Sequence, residues 1–281
     1  MPYGRIVKVL VGEPGEEGRT ISSVRDDGLP GVSIDFSIDH ARTKQPGRCS
    51  LKLYNVSDET AEAFESLTSL VRVELGYQDD GTFVAFTGNP TPGGVFFKKS
   101  GADRVLNVEA QDGGRHYRIG FVTVSFSEQT SAQEAFDEVI DQVGYPVGKT
   151  DLDTALPLVR GWVYSGSAEG ALDDIAGHTG RDWFVRDGSI YMLDPRSDTG
   201  EQAVIFSVAN GNLLGSPSAV IVNDTRSVEV HGLPVAGMKA GKVFKVESDS
   251  YTGFYTASEV SYKGSSYGDT YEVIMRGFPR N

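Results

Sequence analysis

Residues 50–81 read SLKLYNVSDETAEAFESLTSLVRVELGYQDDG, and the hydrophobic period changes twice within them. Leu51 and Leu53 alternate with Ser50, Lys52 and Tyr54, the period-two signature of a half-buried strand. From Ser57 the run SDETAEAFESL is rich in helix formers and opens with an N-cap residue followed by acids suited to a helix N-terminus. Ala61, Phe64 and Leu67 fall at helical spacing, which predicts a short helix near 58–67. Alternation returns with Val71, Val73 and Leu75 set against Arg72 and Glu74, until GYQDDG supplies turn chemistry. Strand, helical crossover and strand thus occupy about the minimum length of such a unit.

Composition bounds the rest. A chain of 281 residues, 39% hydrophobic and without low-complexity tracts, has room for about two domains. Its 34 Gly, 12 Tyr and 14 Phe, with turn residues between short alternating runs, fit many strands joined by turns. The formal net charge of -13 argues against wrapping nucleic acid or resting on an anionic membrane, since both need a positive surface. No segment approaches the ~18 apolar residues that span a bilayer. The N-terminal apolar run is broken by Lys8 and stops at Gly12, too short for a signal-peptide core, so a chain soluble when made is expected. Cys49 is the one cysteine, which excludes an internal disulfide, fits a reducing compartment and predicts a residue that simply packs.

Three parts follow from the patterning. Residues 1–118 hold the strand-like runs GRIVKVLVG, GVSIDFSID, SLKLYNV, LVRVELGY, TFVAFTG and DRVLNVEAQD with one helix, which suggests a small barrel or sandwich. Residues 119–198 change character. Ser131 and Glu134 form a capping box ahead of an apolar helical face through Phe136, Val139 and Ile140, and Gly144 ends that helix. A second helix follows Ser167 and closes at Gly177 or Gly180, and Asp187-Gly188 between two apolar runs predicts a hairpin. Residues 199–281 return to strand and turn. The expected fold class is mainly β with a small α+β helix-helix-hairpin insertion.

Candidate chemistry is sparse. His40, His116, His178 and His231 sit in four separate segments with no metal-binding spacing. The loop GEPGEEG places Glu13, Glu16 and Glu17 where a phosphate-binding loop needs Lys. VYSGSAEG lacks the spacing of a nucleophile elbow around Ser165, and Ser167 serves as a helix cap. QDDG and TDLDT read as turns rather than calcium loops, and the sequons at Asn55 and Asn223 matter only in a secreted eukaryotic protein. No catalytic residue, metal ligand or cofactor site is expected, and the chain reads as a binding or architectural protein rather than an enzyme.

The opening stretch, continued through residue 88, resembles the first tube-forming domain of phage tail baseplate hub proteins, the family that includes late-control D-type proteins. The resemblance is carried by the corner Tyr54-Asn55-Val56-Ser57, by Gly76-Tyr77 and by Phe86-Thr87-Gly88, and again by Gly211-Asn212-Leu213-Leu214-Gly215-Ser216-Pro217. It implies two tube-type β-barrel domains, 1–118 and 199–281, flanking the α+β module 119–198, with the short helix packed outside the first barrel. It also implies a structural hub at the distal end of a phage tail, assembled in the bacterial host cytoplasm into the virion. That hub would be a homotrimeric ring joining the tail tube protein to a tip spike or needle protein and to baseplate wedge or fibre-attachment proteins. DNA would pass through it without specific binding, and no membrane is involved.

Strand alternation sets Lys52, Arg72 and Glu74, and likewise Glu229, His231, Lys245 and Glu247, opposite the apolar faces. In the implied ring Lys52, Arg72, Glu74, Glu229, Lys245 and Glu247 would face the channel or a neighbour. Two alternatives stand beside the hub: a carbohydrate-binding or wall-degrading tail protein, favoured by Trp162, Trp183 and the tyrosines, and a spike component of a related contractile secretion system.

Overall fold

A computed structural model describes residues 4–15, 18–112, 120–153, 161–222 and 225–280. His116, Glu16, Glu17, Asn223 and the boundary at 118/119 lie outside the described residues. The chain is mainly β, with eighteen strands and three helices named here. Strands β1 (Arg5–Gly12), β2 (Arg19–Ser22), β3 (Ile34–Ala41) and β4 (Arg48–Tyr54) lead to helix α1 (Asp58–Glu62). Strands β5 (Leu70–Tyr77), β6 (Gly81–Ser100) and β7 (Asp103–Gln111) complete the first part. The last part holds β13 (Val204–Ser207), β14 (Leu213–Val222), β15 (Thr225–Gly232), β16 (Val243–Glu247), β17 (Thr252–Ser265) and β18 (Tyr271–Pro279).

The sequence resemblance implies two barrels, but among the described residues no closed barrel forms. Strands from both parts join one 13-stranded sheet in the order β14-β15-β18-β17-β3-β4-β7-β6-β5-β1-β2, with β16 on β17 and β13 on β16. The long strands β6 and β17 cause this. Residues 81–88 of β6 pair with β5 and residues 89–100 with β7, across a register shift between Pro90 and Val95. One edge of β17 is likewise divided, with 252–256 on β16 and 259–265 on β3. Each strand therefore belongs to two stretches of sheet, and β17 stitches the end of the chain to its beginning.

Burial follows the alternation. Val7, Val9, Ile38, Leu51, Leu53, Val73 and Leu75 are fully buried and share one hydrophobic core with Phe206, Phe244, Val260 and Met275 from the last part. Cys49 packs in that core, and burial pushes its thiol well up. Ser57 caps α1, its hydroxyl accepting from the Thr60 N–H, and Ala61 and Phe64 are buried as the period predicts. The helix ends at Glu62, short of the expected 67. Beyond it the hydroxyls take other partners, Ser66 and Thr68 donating to the distant Glu13 carboxylate and Ser69 to the nearby Ala63 carbonyl. The strand-helix-strand unit is also not a parallel pair, because β7 and β6 lie between β4 and β5 in the sheet.

The middle part folds on a core of its own. It runs β8 (Phe121–Phe126), α2 (Ala132–Val143), β9 (Val147–Thr150), β10 (Trp162–Ser167), α3 (Ala168–Thr179), β11 (Asp182–Arg186) and β12 (Ser189–Leu193). The Ser131/Glu134 capping box is formed, Ser167 caps α3, and Gly144 and Gly180 end the two helices. Asp187 and Gly188 both have positive φ, 52° and 72°, the backbone that a tight two-residue hairpin turn requires. Trp183 is 2% exposed and donates its indole N–H to Asp173, so it is a core residue rather than a sugar platform. Trp162 lies flat against Phe126, with ring centroids 5.8 Å apart.

Candidate functional site

Residues directly opposite one another on antiparallel strands project to the same face, so register alone assembles a broad polar surface. Lys52 on β4 lies between Asp35 on β3 and Asn107 on β7. One strand pair further, Ser261 on β17 lies opposite Asp39 and donates to its carboxylate. Glu229 on β15 lies opposite Arg276 on β18, which lies opposite Glu259 on β17. Arg276 bridges both acids, at 2.7 Å to Glu229 and 2.9 Å to Glu259. Its hydrogen bond holds the Glu229 carboxyl below the usual range, and the same contact holds the guanidinium above its own. His231 lies 2.9 Å from Glu272 on this face.

The other predicted residues pair locally. On β5, Arg72 reaches Glu74 at 2.9 Å, and the Thr82 hydroxyl donates to Glu74 at 2.8 Å. On β16, Lys245 and Glu247 pair at 2.6 Å. All six predicted residues thus stand on the polar sides of their strands, in three places: Lys52 and Glu229 on the broad face, Arg72 and Glu74 on β5, Lys245 and Glu247 on β16. Arg276, Glu259, Asp39 and Asp35 complete the broad face and were not singled out by the sequence. The alternation in YEVIMRG, with Val273 and Met275 buried, is the signal that places Glu272 and Arg276 there. Among the described residues no group of three or more His, Cys, Asp or Glu is arranged to hold a metal ion.

A second polar cluster joins the middle module to the sheet. Asp112, 2% exposed at the end of β7, accepts the backbone N–H of Asp187 at 2.7 Å and of Gly188 at 3.0 Å. Burial pushes its carboxyl up, and burial pushes the adjacent His40 imidazole down. The Ala85 carbonyl accepts from His40 Nε2 at 3.0 Å, which fixes that nitrogen as the protonated one. Lys239 pairs with Asp187 at 2.5 Å. Arg186, 3% exposed, donates to the Ala240 carbonyl at 3.0 Å and to the Tyr191 hydroxyl at 2.8 Å, and pairs with Glu201. Arg42 lies over the Phe184 ring at 5.6 Å and donates to the carbonyls of Ser197 and Asp194. The module's hairpin is thereby tied to both β parts at once.

No protein-family model and no curated protein matches the sequence. Solved structures do match the fold over nearly the whole chain. A 43 kDa tail protein of prophage MuSo2 from Shewanella oneidensis is similar at a TM-score of 0.62 and 8% identity, covering 97% of this chain and 96% of that one. A tail protein from Neisseria meningitidis MC58 is similar at a TM-score of 0.64 and 12% identity, over 98% and 96%. An Escherichia coli component of the type VI secretion system, itself structurally similar to phage T4 tail proteins gp27 and gp5, is similar at a TM-score of 0.60 and 10% identity, over 96% and 77%. The fold of this chain is therefore that of phage tail and spike-related proteins, in agreement with the tail-hub resemblance carried by Tyr54-Asn55-Val56-Ser57 and Gly211–Pro217.

Proposed function

We propose that the protein is a structural component of a phage tail, a baseplate or tail-tip hub that joins the tail tube to tip components. The observation that carries this reading is the fold match to a prophage tail protein and to a second tail protein, covering 96% of each of those chains. In this reading three chains assemble into a ring in the virion, with residues 1–118 and 199–281 each supplying a wall element and 119–198 a peripheral module. Three chains with two wall elements apiece offer six positions to a sixfold tube. Among the described residues the terminal strands β14 and β2 of the sheet are paired along one edge, and cyclic closure would pair the other.

Lys52, Arg72, Glu74, Glu229, Lys245 and Glu247 then face either the DNA channel or a neighbouring chain. A channel in a protein of net charge -13 lets DNA slide rather than gripping it. The partners are the tail tube protein, a spike or needle protein, and wedge or fibre-attachment proteins, and no substrate is turned over. A spike component of a contractile secretion system is the second reading, favoured by the type VI match.

Light scattering after size exclusion, with negative-stain imaging in the presence and absence of tube protein, tests the assembly. A threefold annulus with a central hole is expected. A stable dimer or an open filament, with no annulus even on a tube end, overturns the hub. Tight, salt-sensitive duplex binding in a filter assay overturns the passive channel.

A further inference from the structure

The turn that joins β13 to β14 reads Val208-Ala209-Asn210-Gly211, and all of these residues are exposed. Asn212 brackets it. The Asn212 side-chain amide accepts the Ser207 N–H at 3.0 Å and donates to the Ile205 carbonyl at 2.8 Å, which fixes the far end of the turn to β13. Gly211 sits at a φ of 66°, and a Cβ built on it would meet nothing within 4 Å beyond its chain neighbours.

The other described asparagines have engaged side chains. Asn55 donates to Asp103 and accepts the Arg104 N–H, Asn89 donates to the Ser69 carbonyl, and Asn107 donates to the Val105 carbonyl. Among the described residues the Asn210 side chain has no hydrogen bond, and only its backbone N–H is held, by the Ser207 hydroxyl. The residue that follows decides what a free amide can do. Val56 and Val108 are β-branched, Leu213 is bulky, and Pro90 has no N–H to give. Gly211 has none of these obstacles, and its N–H is held by one turn bond, to the Val208 carbonyl at 3.0 Å. A single backbone bond in an exposed turn opens readily.

We propose that Asn210-Gly211 is a self-modification site, at which the Gly211 amide nitrogen attacks the Asn210 side-chain carbonyl carbon. The nitrogen yields its proton to solvent base as it bonds to that carbon. The bond from carbon to the side-chain nitrogen breaks, and that nitrogen takes up a proton and leaves as ammonia. Water then opens the cyclic imide at either carbonyl, giving aspartate or isoaspartate, and is the co-reactant. Either product sets a new carboxylate on a turn that lines one cavity with Asp80 from the β5–β6 turn. Isoaspartate also lengthens the main chain by a methylene inside the bracket made by Asn212. The inference rests on this turn and is independent of the tail reading.

The test holds full-length protein in mildly alkaline buffer made with heavy-oxygen water and reads each asparagine over time by peptide fragmentation mass spectrometry. Loss of the amide nitrogen with uptake of heavy oxygen is expected at residue 210, several-fold faster than at Asn55, Asn89, Asn107 or Asn212, while circular dichroism stays that of the folded protein. Separated product peptides should include isoaspartate as well as aspartate, which marks an imide rather than direct hydrolysis. Gly211→Ala should slow the conversion several-fold. Because a φ of 66° strains alanine, the wild-type time course decides the question alone if that variant does not fold. An unmodified residue 210, equal conversion at the four engaged asparagines, aspartate without isoaspartate, or an undiminished rate in folded Gly211→Ala overturns the proposal.

Discussion

Asp112 accepts the Gly188 backbone N–H at 3.0 Å across 76 residues of sequence, and with it the N–H of Asp187 at 2.7 Å. A single buried carboxylate thereby satisfies both donors of a partly buried hairpin turn at the module's contact with the sheet. Asp112→Ala leaves two orphans, so a loss of about 2–4 kcal/mol is expected from the urea midpoint. Asp112→Asn keeps one acceptor oxygen and should lose less. Limited proteolysis should cut first within residues 119–198 in the Ala variant, and a pattern unchanged from wild type would contradict the latch.

The shared core predicts a single cooperative unfolding of both β parts. Phe86, from the first, and Phe244, from the last, are fully buried in one cluster. Phe86→Ala and Phe244→Ala should each cost about 3–5 kcal/mol and move one common transition. Two separable transitions, each shifted by only one of the variants, would show that the parts fold independently.

Replacing residues 122–197 with a short Gly/Ser linker should leave soluble protein with a β-type circular dichroism spectrum, because the module carries its own hydrophobic core. The midpoint should fall, since Arg42 and Asp112 lose their partners at Phe184, Asp194, Ser197, Asp187 and Gly188. Complete loss of folded protein would mean that the module completes the main core.

Alkaline pH should destabilise the fold. Burial raises the Cys49 thiol and the Tyr77, Tyr262 and Tyr271 phenols above their unfolded values. Unfolded Cys titrates near ~8.5 and unfolded Tyr near ~10. A group raised in the fold contributes stability that is complete below its unfolded value and is lost as pH climbs toward the folded one. The urea midpoint should therefore decline from about pH 8 upward, more steeply above about pH 10. Tyr262→Phe should make the upper decline shallower. The same variant should lower the midpoint at neutral pH through loss of the hydrogen bond to the Met238 carbonyl.

Arg276 bridges Glu229 and Glu259 at the exposed side of the sheet. Arg276→Ala should cost about 1 kcal/mol or less at low salt, as partly exposed ion pairs do, and the difference should shrink as salt screens them. Urea midpoints at two ionic strengths would check this, and a salt-independent loss would point to packing of the side-chain stem instead.

Much of the local structure was legible because its causes are local. Leu51 and Leu53 could be assigned inward from alternation, Ser131 and Glu134 to a capping box, and Asp187-Gly188 to a turn, since each depends on residues within a few positions. Strand order was not legible. The pairing of Val260 with His40 joins residues 220 positions apart, and neither stretch carries a mark of the other. A resemblance seen separately in two β parts therefore reads as two barrels, although one strand couples them. The polar face was half visible for the same reason: alternation fixes which side Lys52 and Glu229 occupy, while Arg276 and Asp39 join them only through register. The tie at Asp112 had no sequence signal, because a lone acid at a strand end looks like any turn residue.

The divided edge of β17 sets an order of events during synthesis. The strand that covers the outer edge of residues 34–41 lies at 259–265 and leaves the ribosome more than two hundred residues after them. Until that strand arrives, β3 presents an open row of backbone donors and acceptors, the template on which aggregation begins. A chain that stops short of residues 259–265 cannot close this edge however well its earlier helices and hairpins have formed. Residues 259–265 thus act as a completion check on β3, and products interrupted before them should be sticky and short-lived.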